Sequence, residues 1–189
     1  MSDLALNPQK TALVVIDLQN ALMSYQAAPH SVAEVVTANR RIAEALRSRG
    51  GLVVWVRVDM NEFLQLPVDR PSPRGQQPLP PEHCAIAPSA GLQEGDMVIT
   101  KRHWGAFAHT NLEERLRRRG IDTVVLTGIS TNIGVESTLR QGAGLGFAFI
   151  VVEDACSGQD SAEHDFAFKK IFPRTARIRT ADQVIAALA

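Results

Sequence analysis

Aromatic side chains are scarce in this chain of 189 residues, which holds seven Phe, two Trp and one Tyr. A core with so few rings has to be filled by aliphatic side chains, and the hydrophobic share of 45% is large enough for that. Cysteine is scarcer still. Cys84 and Cys156 cannot build a disulfide framework, which argues against a small stapled secreted scaffold. Net charge is also missing: 20 basic residues face 20 acidic ones, so no overall field recruits nucleic acid or an anionic membrane. The one local excess, Arg115, Arg117, Arg118 and Arg119, reads as the cationic end of a helix stopped by Gly120. No apolar run approaches the ~18 residues of a membrane span. The run 11–16 is too short for a signal peptide and is interrupted by Asp17. These absences imply a cytoplasmic protein with neither nucleic-acid nor membrane partners.

What is present is an alternation of short apolar runs with amphipathic stretches. Residues 11–17 read as a buried strand ending in a carboxylate, Asp17. Ser31 followed by Glu34 forms a capping box, and Val32, Val35, Val36, Ile42 and Leu46 line one face of the helix it opens. Gly50 and Gly51 end that helix, and 52–58 is a second strand. The segment 59–95 holds seven of the ten prolines and reads as a lid or an oligomer contact, because so long a loop inside a compact domain is usually functional. A third strand, 97–100, delivers Lys101. Thr110 or Asn111 caps the arginine-rich helix, 121–126 is a fourth strand, and helical spacing resumes at Gly134 with Val135 and Leu139. A fifth strand at 147–152, a helix opened by Ser161, a sixth strand at 175–179 and a last helix capped by Thr180 complete the pattern. Strands alternating with helices predict one doubly wound α/β domain, with a six-stranded parallel sheet covered on both faces.

The stretch 121–142 carries the strongest local signal. A buried strand, a small-residue turn through Gly128 and a helix N-terminus follow one another, and such a terminus favours an anion or developing negative charge. Asp17 and Lys101 each follow a strand directly, so both belong at the same C-terminal sheet edge as this turn, where open α/β sheets bind ligands. A lone carboxylate at a strand end is usually a turn residue and a lone lysine usually solvated. Their convergence reverses both readings. His30, His83, His103, His109 and His164 fall in no metal-ligand spacing, so neither metal nor cofactor is expected.

The run 128–138, Gly-Ile-Ser-Thr-Asn-Ile-Gly-Val-Glu-Ser-Thr, resembles the signature of the isochorismatase-like (cysteine hydrolase) superfamily. Asp17 in VVIDLQ and Lys101 in VITKRHWGAF stand where that family keeps the other two members of its Asp–Lys–Cys triad. The likeness extends over 11–188. It implies catalytic roles for Asp17 and Lys101, but Gly134 occupies the place of the nucleophilic cysteine. Isochorismatases of the same superfamily also lack that cysteine and hydrolyse an enol ether without a covalent intermediate. The resemblance further implies a cis peptide at Ile129–Ser130 that aims a backbone N–H at the substrate, and a dimer or tetramer. Zinc-binding relatives carry His residues after the second strand, where this chain has Asp59, Met60 and Asn61.

Around the triad positions, Gln19 is expected to touch the substrate, and Trp104 and Phe107 to wall its pocket. Ser130, Thr131 and Ser137 read as caps of the turn and helix, Cys156 as a buried small residue and Cys84 as a loop residue without a role. A hydrolase of a small molecule working by Asp/Lys acid–base chemistry is the leading expectation. An amidase that activates water directly is the alternative, in keeping with the Thr131-Asn132 pair common in cysteine amidases. A binding module that has lost its nucleophile is the third.

Overall fold

The first strand, β1 (Thr11–Ile16), is buried along its whole length because it lies at the centre of the sheet and is covered on both faces. In the computed structural model, which describes residues 4–71 and 77–188, six strands pair in the order β3-β2-β1-β4-β5-β6, every pair parallel. The others are β2 (Leu52–Val58), β3 (Met97–Lys101), β4 (Thr123–Ile129), β5 (Ala148–Ser157) and β6 (Arg177–Arg179). The chain runs outward from β1 through β2 to β3, then restarts at β4 on the other side. The switch point therefore falls between β1 and β4, the place where open α/β sheets bind their ligands.

Alternation along β1 divides the interior in two. Ala12, Val14 and Ile16 pack with Leu112, Leu116, Val135, Leu139 and Phe149 on one side. Leu13 and Val15 pack with Val35, Ile42, Leu46, Trp55 and Val184 on the other. The first side is covered by α2 (Leu112–Arg118) and α3 (Glu136–Gly144). The second is covered by α1 (Val32–Arg47) and α5 (Ala181–Ala187), both opened by complete capping boxes, Ser31 with Glu34 and Thr180 with Gln183. The remaining helix, α4 (Ser161–Phe166), runs on into a π-helical turn, Ala167–Ile171. Among the described residues no helix is long and apolar enough to cross a membrane.

Several boundaries differ from the sequence reading. The fifth strand does not stop at Val152 but continues to Ser157, past Glu153 and Asp154, where polarity suggested an end. A bulge explains it: between the pairs Leu126–Val151 and Gly128–Cys156, β4 advances two residues and β5 advances five. Cys156 thus lies within the strand. Asp160, not Ser161, caps α4 through its bond from the Ala162 amide. The helix expected from Gly134 starts earlier, as a π-helical turn spanning Thr131–Val135. Within 59–95, Asn61 clips Leu79 through two bonds of 2.8 and 3.0 Å. Residues 72–76 of that expected lid lie outside the described residues.

Candidate active site

Asp17 leaves β1 in a left-handed backbone conformation, φ 56°, which is uncommon for any residue but glycine and better tolerated by Asp than by most. Two neighbours hold it there. Its amide bonds the Val56 carbonyl at 2.9 Å, and its own carbonyl accepts from the Gln19 amide at 2.8 Å. Gln19 is itself locked. Its side-chain oxygen accepts from the Val58 amide at 2.8 Å, and its side-chain nitrogen donates to the Val58 carbonyl at 3.2 Å. This corrects the expected substrate contact: both ends of the buried Gln19 amide extend the edge of β2, so its work is to position Asp17.

Lys101 comes from β3, two strands away from β1, about 10 Å at ordinary strand spacing. Its stem crosses the end of β2, and its ammonium meets Asp17 Oδ2 at 2.7 Å and the Trp104 carbonyl at 2.7 Å. The residue is 1% exposed. Asp17 is buried too, and its second oxygen, Oδ1, has no partner among the described residues. Burial pushes the Asp17 carboxyl above its usual range, and the charge and hydrogen bond of Lys101 recover only part of that rise. An acid with one bonded oxygen and one bare oxygen, kept from water, is suited to holding a proton.

The third position is a glycine in the turn after β4. A β-carbon at Gly134 would stand 2.9 Å from Ile16 Cγ2, 3.2 Å from the Lys101 ammonium and 3.5 Å from Asp17 Oδ2. A side chain there would therefore touch both charged groups. The turn follows a cis Ile129–Ser130 bond. Its start is at Gly128, φ 115°, whose β-carbon position lies 2.2 Å from the Ile16 carbonyl oxygen, so glycine is required. Thr138 anchors the turn by donating to the Gly134 carbonyl at 2.7 Å and accepting from the Ala106 amide at 3.0 Å. Gln141 accepts from the amides of Phe107 and Ala108, and its side chain fills the space that any residue but glycine would need at Gly105. In this way α3 carries the Gly134 turn and the segment after Lys101 as one piece.

Other expectations need correction. Phe107, expected as a pocket wall, is 8% exposed and packs on Phe147 in the core, because Gly142 leaves room for it. Trp104 is 41% exposed, and its ring meets Phe63 at 4.7 Å. Ser130 makes no capping bond, and Thr131 points the other way, its hydroxyl 2.9 Å from His164 Nδ1. His164 is buried, and its Nε2 has no partner among the described residues. Burial, with His30 beside it, pushes its pKa down to about 4. Asn132 ties the same turn to α4 through Glu163 at 2.8 Å. The helpers Gln141, Thr138 and His164 were invisible in the sequence, since each acts across elements. Burial also pushes the Cys156 thiol well up, and Cys84 is buried in a short turn, Pro81–Cys84. Among the described residues no three His, Cys, Asp or Glu side chains form a metal-holding group.

The family model described as the isochorismatase domain matches residues 11–183, most of the chain. The chain belongs to the isochorismatase family. An uncharacterized isochorismatase family protein of Escherichia coli O157:H7, YecD, is 46% identical, with 98% of this chain and 100% of that one covered. The structure of an isochorismatase family protein from Burkholderia thailandensis superposes with a TM-score of 0.91 at 42% identity, 99% of each chain covered. Ureidoacrylate amidohydrolase RutB of Klebsiella pneumoniae is 32% identical over 80% of this chain and 75% of its own. Isochorismatase-family membership makes the chain a hydrolase of the same α/β architecture.

Proposed function

We propose that this isochorismatase-family hydrolase cleaves a small molecule by proton transfer from Asp17, with water as the nucleophile and no covalent enzyme intermediate. The observation that carries the reading is the buried Asp17–Lys101 pair, 2.7 Å apart beside Gly134, with Asp17 Oδ1 unpartnered. An enol ether is the substrate type that fits a protonated acid in this position. Asp17 gives its proton to the vinyl carbon, which leaves positive charge on the ether carbon. Water adds there and the hemiketal collapses to an alcohol and a ketone, while the proton released from water restores Asp17. Lys101 keeps the carboxyl oriented and offsets the negative charge that Asp17 bears between these steps. General acid catalysis of this kind typically contributes ~10²–10⁴-fold.

A second reading takes an amide or ureide as the substrate, with Asp17 as base toward water. The similarity to ureidoacrylate amidohydrolase favours it. One experiment covers both: the purified protein is offered a panel of vinyl ethers and N-carbamoyl compounds in H₂¹⁸O, with intact-protein mass recorded during turnover. The expected outcome is label in the product, no mass adduct, and full activity in the Cys84→Ser, Cys156→Ala double variant. A covalent adduct, or loss of turnover with the thiols, overturns the proposal.

A further inference from the structure

The Lys101 ammonium ends a long, flexible stem, and two acceptors decide where it stands: Asp17 Oδ2 and the Trp104 carbonyl, each at 2.7 Å. The two are not equivalent. In the hydrolase reading above, on which this inference rests, Asp17 loses and regains a proton, so its hold on the ammonium changes within each cycle. The Trp104 carbonyl keeps the same dipole throughout, which makes it the constant anchor. With Lys101 1% exposed, water has little access to replace that carbonyl if it moves.

The anchor belongs to no regular element. Residues 102–111 are bends and turns between β3 and α2, with neither a ladder nor a helix to fix them. Their ties come from α3. Three consecutive amides donate to side chains of that helix: Ala106 to Thr138 Oγ1 at 3.0 Å, and Phe107 and Ala108 both to Gln141 Oε1, at 3.2 and 3.3 Å.

Thr138 also donates to the Gly134 carbonyl, so it serves the turn as much as this segment. The Gln141 side chain bonds only the segment, among the described residues. Its amide also lies against Gly105, where a β-carbon would overlap Oε1, Cδ and Nε2 at once. The Trp104 carbonyl and the Gly105 α-carbon share one planar peptide unit, so what holds Gly105 holds the carbonyl.

We propose that Gln141 is a positioning residue of the hydrolytic site. By fastening the Phe107 and Ala108 amides to α3 and lying on Gly105, it fixes the Trp104 carbonyl, and through it the Lys101 ammonium against Asp17.

The test reads the Asp17 carboxyl directly, by ¹³C NMR titration of aspartate-labelled protein, its signal assigned from the spectrum of Asp17→Asn. The lysine's charge is what draws this carboxyl down against burial. Gln141→Met keeps the length of the side chain but removes the acceptor. The ammonium then loses its anchor, and the Asp17 midpoint should move further up. Gln141→Glu still accepts from both amides and should leave the midpoint at the wild-type value, with all titrations in 1 M salt, where a Debye length of about 3 Å screens the added charge. On any substrate found with the panel above, Gln141→Met should lower kcat ~10–10²-fold with KM unchanged, the mark of a displaced group.

A Gln141→Met protein that loses stability to urea while the Asp17 midpoint stays in place overturns the proposal, because Gln141 is then a structural tie alone. So does an equal shift in Gln141→Met and Gln141→Glu. Should Gln141→Met not fold, Gly105→Ala, which forces the same amide off the segment, is read in its place with the same expected and overturning results. The titration needs no substrate. An Asp17 midpoint that follows Gln141 stands even if nothing on the panel is hydrolysed, and absent turnover counts against the hydrolase reading only.

Discussion

Asp96 and Asp17 both lie beside a basic side chain, but they differ in how many donors face the carboxylate. Asp96 takes the Arg47 guanidinium with both oxygens, and Oδ2 also accepts from the Trp55 indole at 2.8 Å and the Gln93 amide at 3.0 Å. Burial pushes the Asp96 carboxyl up, but these bonds outweigh it and hold the group below its usual range. Asp17 has Lys101 on one oxygen and, among the described residues, nothing on the other, and its pKa goes up. Ion pairing by itself therefore does not decide the charge of a buried acid. The balance between burial and the number of satisfied lone pairs does. One site is finished as structure, and the other leaves an oxygen lone pair unbonded among the described residues.

The largest effect that separates them is on rate. Asp17→Asn keeps an acceptor for Lys101 but cannot deliver a proton, so kcat/KM on an identified substrate should fall ~10²–10⁴-fold. Its secondary structure, read by circular dichroism, should stay that of the wild type. An Asp17→Asn protein with unchanged kcat/KM would remove Asp17 from the mechanism.

His164 extends the comparison, being a second buried group with one bare atom. Its folded pKa of about 4 lies below its ordinary 6.5, so over that window the unfolded chain binds a proton that the folded imidazole refuses. Stability from this residue is thus present above pH 6.5 and lost as pH falls toward 4, by about 3 kcal/mol. Urea midpoints of wild type and His164→Gln across this range should differ by a margin that shrinks as pH drops. A constant margin would place the imidazole in water.

Asp96→Asn comes next, destabilising by about 2 kcal/mol because Arg47 loses its charged partner while staying partly solvated. Activity should be untouched. The pH dependences of the two aspartates have opposite signs. Asp96, with a lowered pKa, contributes stability above pH 3.8 that is lost in more acidic solution, so the deficit of Asp96→Asn should close as pH falls. Asp17, with a raised pKa, makes the wild type lose stability as pH rises past 3.8, so Asp17→Asn should gain on it in the same direction. Chemical denaturation of both variants from pH 3 to 7 gives the two slopes. Slopes of the same sign would erase the distinction.

The smallest effect tests whether the open site suits a nucleophile. Gly134 is not among the glycines with a left-handed backbone, so Gly134→Cys meets crowding against Ile16 and the Lys101 ammonium rather than backbone strain, about 1 kcal/mol. Beside the Lys101 ammonium the new thiol should ionise below the ordinary ~8.5. It should then alkylate with iodoacetamide faster than Cys84 or Cys156, followed residue by residue by mass spectrometry. A thiol titrating near 8.5 would mean that the pair does not act on position 134.

The fold was legible because each central strand is a short, nearly unbroken aliphatic run, the pattern of a parallel sheet buried on both faces. Asp17 and Lys101 were legible for the same reason, each ending such a run. Gly134 emerged only from likeness to the family signature. What escaped the sequence acts sideways. Gln19 looked free for a ligand because nothing in the chain around it announces Val58, 39 residues on. Phe107 looked like a pocket wall because its nearness to Lys101 in sequence says nothing of the hole that Gly142 leaves behind it. The continuation of β5 was hidden by a bulge, which turns Glu153 and Asp154 aside without ending the pairing.

The lysine of the proposed catalytic pair is carried by an edge strand, while its aspartate follows a central one. Edge strands have one pairing neighbour, and local opening begins where few contacts resist it. Peeling β3 from β2 would withdraw the ammonium from Asp17 and leave the four inner strands and their helices in place. A carboxyl buried without its cation would hold its proton more tightly and could not deliver it. In this architecture the chemistry can be switched off by a fluctuation far smaller than unfolding, so mild denaturant should silence the protein well before its secondary structure changes.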